Sequence, residues 1–589
     1  MDTFIRFLNH KNLGSMRTPA FLTLLLFFRL SFLFSQSAPI SIDGKFTEWP
    51  EEVSGYTDPD ETVSNVDLLS FQVTNDEEFL FLKIVLGTAI NLKENDPIAH
   101  SIYLYIDTDD NASTGFNVQD GFGSELGINF SNLSANFDVS PPQTINFSDI
   151  RLRIGPTVTS TEFEIAIARN AVPDNVHALF SSPTIKILFK NWHNGDVMPD
   201  EGSFFSYTFD NTPVEPLVPT SLEKENPSYL RTVAYNTLFD GLLESARLPH
   251  FEKVLKALNP DIIGFSECYD TPAATVASLL NNWLPLDNAD GWQVVKKGDL
   301  ITASRWPVLQ TWPFITRSFP VLIDLPDTYP QNLLFTNAHL SCCAKNSERQ
   351  SQVDEYVSFL LQLKEVGAGL GFTEFTPFIY AGDLNLVGYA QQLTTLLTGD
   401  IQNVNQFGQG GPLDWDGSDL TDQICRQADK RMAYTWRNDQ SPYPPGRLDF
   451  MIYSDMVMNA EKSFTLQTEV MSADRLDLYN LSTNDTGGAS DHFPVVTDFS
   501  LMVIDKVRET DLGRHKLYPN PVGDELTIEL AADDSFDIFV SDAFGKIVAS
   551  KKDGTGSVSL KMGHLTAGVY FVKLEDKEGA VFKYKIVKE

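Results

Sequence analysis

Between residues 38 and 212 the apolar and polar positions alternate in short runs, Phe79 to Val85 and Ser101 to Ile106 being clear cases, with Asn, Asp, Gly and Pro at the breaks. A period of two puts one face of a strand in a core and the other in water, so short strands between turn residues predict an N-terminal β-sandwich. The segment Asn211 to Pro227 then carries Pro213, Pro216, Pro219 and Pro227 among polar residues. Proline lacks the N–H that a helix or sheet interior needs, and 213–228 is predicted to be a linker.

Beyond the linker the period changes. Leu248, Phe251, Val254, Leu255 and Leu258 recur at helical spacing, and Asp261 to Phe265 reads as a buried strand. Ser347 to Gln350 has the form of a capping box opening a helix whose apolar stripe is Val353, Val357, Leu360 and Leu361. Strands alternating with helices over 229–503 predict a central α/β unit. After a second linker, 504–516, residues 517–589 return to strand patterning around Glu525 to Leu530, Phe536 to Val540, Gly568 to Leu574 and Val581 to Val587, which predicts a small C-terminal β-sandwich.

Residues 1–37 fit neither pattern. Arg17 precedes an apolar run, Pro19 to Phe34, interrupted by Arg29 and followed by Ser35, Gln36 and Ser37. That is the layout of a secretory signal peptide, with Met16 as an alternative start. The run is short for a bilayer span, so no transmembrane anchor is expected.

Composition narrows the chemistry. The 589-residue chain has 44 Lys plus Arg against 79 Asp plus Glu, a net charge of -35, with the acidic excess steepest in 38–212. Such a chain does not draw in a polyanion by long-range attraction, and any phosphate substrate needs local help. The four cysteines, Cys268, Cys342, Cys343 and Cys425, all lie in the middle unit. For an exported chain they predict one or two disulfides, with the adjacent Cys342 and Cys343 pairing outward. Their spacing fits no zinc template. Asp107, Asp109 and Asn111 have the alternating oxygen spacing of a calcium loop, but Ala112 and Val118 stand at its sixth and twelfth positions, which favours an acidic turn at a strand end.

The candidate chemistry sits where apolar strands end. Thr232 to Tyr235 runs into Asn236, Ile262 to Ser266 into Glu267, Leu333 to Ala338 into His339, and Phe378 to Gly382 into Asp383 and Asn385. Asp449 lies within Arg447 to Ile452, and Ser490-Asp491-His492 leads into a final strand. A sheet holds the backbone while a side chain at the strand end reaches an open cleft. Singly, each has an ordinary explanation, a turn for Asn or Asp, a structural role for His and a solvent face for Glu; their joint order does not.

On the segments Tyr235-Asn236-Thr237-Leu238, Pro260 to Glu267, Ala338-His339-Leu340, Gly382-Asp383-Leu384-Asn385, Arg447-Leu448-Asp449 and Ser490-Asp491-His492, the middle unit resembles the endonuclease/exonuclease/phosphatase (DNase I-like) superfamily. The resemblance implies a four-layer α/β sandwich and a metal-dependent phosphodiesterase or phosphatase. A phosphodiester resists water until a divalent cation neutralises charge and a base activates the nucleophile. Glu267, Asn236 and Asp491 are the expected ligands of Mg2+, with Mn2+ or Ca2+ as substitutes. His492 is the expected general base, oriented by Asp449, as the resemblance suggests. Asn385 and His339 would donate to the phosphoryl oxygens, and Asp383 would either position water or assist the leaving group.

The peptide Leu300 to Pro307 also looks like the family's strand and Ser-Arg turn, with Arg305 read mainly as a surface residue and Trp312 and Phe314 as either a substrate wall or core. The substrate stays open between nucleic acid, a phospholipid headgroup, as in a sphingomyelinase-like enzyme, and a small phosphate ester such as a sugar phosphate. In the front unit Ile42-Asp43-Gly44 and Glu48-Trp49 loosely resemble the opening of family 9 carbohydrate-binding modules, which makes glycan a candidate partner and a non-catalytic surface glycan binder the reading from another class. In the tail, Tyr518-Pro519-Asn520-Pro521, Asp542 to Lys546 and Thr566 to Tyr570 resemble the type IX secretion system sorting domain, implying the secretion machinery as partner and a secreted or outer-surface location.

Overall fold

The computed structural model describes residues 39–50, 53–59, 65–367, 371–502, 515–530, 535–542, 546–577 and 581–589. The predicted signal peptide, most of the 504–516 linker and Ala543 to Gly545 lie outside the described residues. No helix among the described residues is long and apolar enough to cross a membrane.

The alternating front segment forms two antiparallel sheets. One orders Gly55–Thr57, Leu68–Asn75, Phe79–Ile90, Ser160–Ala168 and Arg153–Gly155 side by side; the other is built around Thr184–Asn191, Ile102–Asp107 and Leu126–Asn129. Their inward residues share one core, Phe71 and Leu82 from the first sheet meeting Leu104, Ile187 and Phe189 from the second.

The middle segment forms two six-stranded sheets. The first runs Gln293–Lys297, Leu300–Ser304, Ile262–Ser266, Leu230–Asn236, Val495–Leu501, Met458–Thr465. The second runs Val308–Thr311, Ser318–Ile323, Leu333–His339, Phe378–Asp383, Asp449–Tyr453, Thr421–Asp422. Each has one parallel pair at its centre, Leu230–Asn236 with Ile262–Ser266 and Leu333–His339 with Phe378–Asp383. These strands are buried on both faces, which is why they read as apolar runs without alternation. Leu230, Ala234, Phe335, Ile379 and Met451 pack between the sheets. Helices Leu248–Leu258 and Ala273–Trp283 cover the outside of the first sheet, and Asn346–Val366 and Gln391–Thr398 cover the second.

Two local expectations change. Helix Asn346–Val366 starts one residue before Ser347 and has no side-chain cap. Its start is tied instead by Arg349, fully buried, which donates to the carbonyls of Ser341 and Cys343 and to Asn346 Oδ1. The four cysteines are free. Cys268 and Cys425 are buried in different cores, one outside the first sheet and one between the sheets, while the exposed Cys342 and Cys343 bring their own sulfurs to 2.6 Å.

The proline-rich stretch forms no regular element, as its composition predicts, yet it is not loose: Leu222 is fully buried and Thr220 N donates to Ala428 O. Leu222 O also accepts from Arg231, whose guanidinium makes a buried bidentate pair with Asp498 and so locks strand Leu230–Asn236 to Val495–Leu501. The front sandwich joins the middle unit directly. Ile42 forms a parallel bridge with Met432, Asp43 pairs with Arg426, and Met432, Tyr434 and Phe493 complete the front core.

The tail folds into a three-stranded and a four-stranded sheet around one core. It includes strand Ile547–Thr555, whose mostly exposed side chains left little apolar pattern to read, and the short alternating strand Ser557–Lys561. Asn520 of the Tyr518 to Pro521 motif fastens the last strand, its side chain bonding to Lys585 O and Val587 N.

Candidate active site

The parallel pairs set the geometry. Asn236 stands level with Ser266, just before Glu267, in one sheet; His339 stands level with Asp383, and Asp383 with Asp449, in the other. Gly382 permits the alignment of His339 with Asp383: a Cβ there would lie 2.0 Å from Ala338 O.

Asn236 joins the two sheets. Its amide donates to Glu267 Oε1 and to Asp383 Oδ2, both at 3.0 Å, and its Oδ1 accepts from Leu238 N. Glu267, at φ 57, holds Phe239 N through its other oxygen. Leu238, Phe239 and Asp240 all have left-handed φ between 46 and 59. Such a run is costly for residues with a Cβ and persists only where surrounding contacts fix it. Asp240 supplies them, accepting from Asp270 N, Thr271 N and Thr271 Oγ1.

On the opposite side His492 Nδ1 lies 2.8 Å from Asp449 Oδ2, and its Nε2 lies 3.7 Å from Asp383 Oδ2. Thr435 donates to the same Asp449 oxygen at 2.7 Å and accepts from the N–H groups of Leu448 and Asp449. Ser490 Oγ donates to Asn236 O and accepts from His492 N, so the last loop is fixed to the first strand end. Burial pulls the His492 imidazole down, but Asp449, Asp383 and Asp491 outweigh it and raise it to about 10.

His339 has a separate orienter. Its Nδ1 lies 2.5 Å from Asp299 Oδ2 and its Nε2 lies 3.8 Å from Asp383 Oδ2. Burial lowers the His339 imidazole, and the bond to Asp299 with the charges of Asp383 and Asp299 raises it above its ordinary value. Burial pushes Asp299 up, while the bond and charge of His339 and the charge of Arg317 bring it below the usual carboxylate range. Asp383 is pushed up by burial, with the charge of His492 opposing. Asn385, in left-handed backbone, donates its N–H to Asp383 Oδ1 and its side-chain amide to Leu340 O.

Of the residues read from sequence, Asn236, Glu267, His339, Asp383, Asn385, Asp449 and His492 come together. Asp491 Oδ2 accepts from Trp436 Nε1 at 3.0 Å, while its Oδ1 is buried with no hydrogen-bond partner among the described residues. Arg305 is tied to Pro260 O and Asn259 away from the cleft, and Trp312 is core. Asp299 and Thr435 were missed. Asp299 sits in the Gly298-Asp299 turn between two strands, which reads as any hairpin turn; its adjacency to a family-like strand was the one available signal. At the rim, Phe239 and Tyr269 are 67% and 45% exposed and stack with centroids 6.2 Å apart.

The residues suit a hard cation. Glu267, His339 and Asp383 present ligand atoms within 4.8 Å of one another, as do Asp383, Asp449 and His492. Two carboxylates held by one asparagine amide form an oxygen-rich pocket of the kind that takes Mg2+, Mn2+ or Ca2+.

The family model of the secretion system C-terminal sorting domain matches residues 516–589, so the tail carries a sorting signal for secretion. No curated protein matches the chain. Among solved structures it is similar to TDP2 of D. rerio complexed with single-strand DNA product, at 16% identity over 46% of this chain and 99% of that chain, with a TM-score of 0.29. It is also similar to ANGEL2, a 2',3'-cyclic phosphatase, at 14% identity over 48% and 98% with a TM-score of 0.32. A third is an endonuclease/exonuclease/phosphatase family protein from Leptotrichia buccalis, at 12% identity over 46% and 99% with a TM-score of 0.29.

Proposed function

We propose that the chain is a secreted, metal-dependent phosphoester hydrolase of the endonuclease/exonuclease/phosphatase type, acting foremost as a nuclease-like phosphodiesterase, with 229–503 as its catalytic unit. The observation that carries this reading is the linked set Glu267–Asn236–Asp383 beside His492–Asp449, drawn from strand ends of two sheets.

Glu267 and Asn236, with Asp383 beside them, would hold the cation. When bound, it supplies neutralising charge to the phosphoester and offsets the carboxylates that hold the His492 proton. His492 Nε2 takes the proton of the attacking water. Asp449 holds Nδ1–H, fixing the tautomer and stabilising the imidazolium. Asn385 and His339 donate to the phosphoryl oxygens, with His339 oriented by Asp299. Asp383 lies within reach of both imidazoles and is suited to positioning water. The exposed Phe239–Tyr269 stack supports a substrate whose ester carries a planar or apolar group.

The test is a substrate panel with the full chain: plasmid DNA, RNA, a chromogenic phosphodiester, sphingomyelin liposomes and a sugar phosphate, each with and without chelator. Turnover that chelator abolishes and divalent ion restores, and that His492→Ala removes while leaving the fold intact, is the expected result. Chelator-insensitive turnover, or none on any substrate, overturns the reading.

A further inference from the structure

The front sandwich contains a second place where carboxylates converge. Asp107 closes strand Ile102–Asp107, Asp109 follows in the next loop, and Glu125 lies between strands Phe122–Ser124 and Leu126–Asn129. Their ligand atoms lie within 4.8 Å of one another. The loop is folded to present them. Asn111 N donates to Asp107 Oδ1 at 3.1 Å and to Asp109 Oδ1 at 3.0 Å, and Thr114 Oγ1 donates to both Asp109 oxygens.

An acidic turn alone would leave these groups in water; here Asp107 and Glu125 are withdrawn from it. Asp107 is fully buried and Glu125 is 4% exposed. Glu125 Oε2 accepts from Thr108 N at 2.8 Å, but its Oε1 is buried with no hydrogen-bond partner among the described residues. A buried carboxylate oxygen without a donor is expensive, and a coordinated cation offsets that cost. Lys186 Nζ reaches Asp107 Oδ2 at 2.8 Å and Asp110 Oδ1 at 2.9 Å, so one ammonium faces four carboxylates and touches neither Asp109 nor Glu125.

The sequence fails as a twelve-residue calcium loop because Val118 occupies the twelfth position. The fold supplies a distal carboxylate another way. The hairpin of Phe116–Gln119 and Phe122–Ser124 turns the chain back and delivers Glu125 to the cluster. Gly115, at φ 69, lets the loop lie against it: a Cβ there would be 2.5 Å from Ser124 O and 2.7 Å from Glu125 Oε1.

We propose that Asp107, Asp109 and Glu125 form a calcium site that fastens loop 108–115 to the hairpin. Hard oxygen donors, mostly carboxylate, suit Ca2+, and extracellular sites of this kind bind it with Kd of about 10⁻⁴–10⁻³ M. The site is independent of the catalytic centre and would serve an exported chain that meets calcium only outside the cell.

The test uses the full chain in saturating Mg2+, with Ca2+ uptake followed by equilibrium dialysis and loop cleavage by limited proteolysis. The expected result is one Ca2+ bound that slows cleavage within 108–115, with affinity reduced at least about tenfold in Glu125→Gln and in Asp109→Asn. Both variants should retain whatever hydrolysis the full chain shows, and Glu267→Gln should retain this Ca2+. Asp109, being partly exposed, keeps the test informative if Glu125→Gln does not fold. Uptake unchanged in Asp109→Asn, or no uptake by the full chain, overturns the proposal.

Discussion

Thr435 Oγ1 and His492 Nδ1 meet on one oxygen of Asp449, at 2.7 and 2.8 Å, while the hydroxyl of Thr435 is itself held by two backbone N–H groups. The carboxylate is therefore aimed from behind by a buried residue. Asp449→Asn, which exchanges the acceptor for an amide that can present N–H to the ring, should lower kcat by about 10³–10⁴ with the fold retained. Thr435→Val keeps volume and removes the hydroxyl, and should lower kcat by about 10–100-fold with little change in KM. Steady-state kinetics with a chromogenic diester measures both.

Asp299 stands in the same relation to His339 that Asp449 has to His492. Asp299→Asn should leave the thermal midpoint nearly unchanged and lower kcat about 10–100-fold. A loss of folding instead of rate would assign Asp299 to the hairpin alone.

Glu267 fixes the Phe239 backbone as well as facing Asp383. Glu267→Gln should raise the Mg2+ concentration for half-maximal rate by at least about tenfold, since a hard cation loses a full ligand charge. A metal titration of activity reads this directly, and recovery of part of the rate at high Mg2+ distinguishes weakened binding from a collapsed loop.

Glu164 gives a pH-dependent expectation away from the site. Fully buried, it accepts from the N–H groups of Asp43 and Gly44 and anchors the segment that reaches Met432. Burial raises its carboxyl from 4.5 to about 8, against the opposing backbone bonds. Between those values the folded state holds a proton that the unfolded chain has lost, so stability falls as pH rises. Its contribution is full below 4.5 and is lost as pH passes about 8. Glu164→Gln cannot ionise and should flatten the fall of the thermal midpoint across that window.

Much of the central unit was legible because buried parallel strands write themselves as unbroken apolar runs, and a polar residue ending such a run marks where a cleft begins. Asn236, Glu267, His339 and Asp383 were all found that way. Asp299 and Thr435 were not, since each sits in a turn or loop where a polar residue is the ordinary choice and only the fold brings it behind a ring. The cysteines misled for a related reason: composition and export argue for bridges, but Cys268 and Cys425 serve two separate cores. Leu222 shows the limit for linkers. Its prolines forbid regular structure, while nothing local announces that the leucine among them is buried.

The bridge from Ile42 to Met432 and the place of Phe493 in the front core also bear on timing. The front strands emerge early in synthesis, yet Met432, Tyr434 and Phe493, from the far end of the middle unit, complete their core. Contacts of such long sequence separation form late in folding. Phe493 adjoins His492, so the base is seated by one of the last packing events. On the reading proposed above, a chain held unfolded before export would carry these residues unassembled and would spare phosphoesters inside the producing cell until it had left.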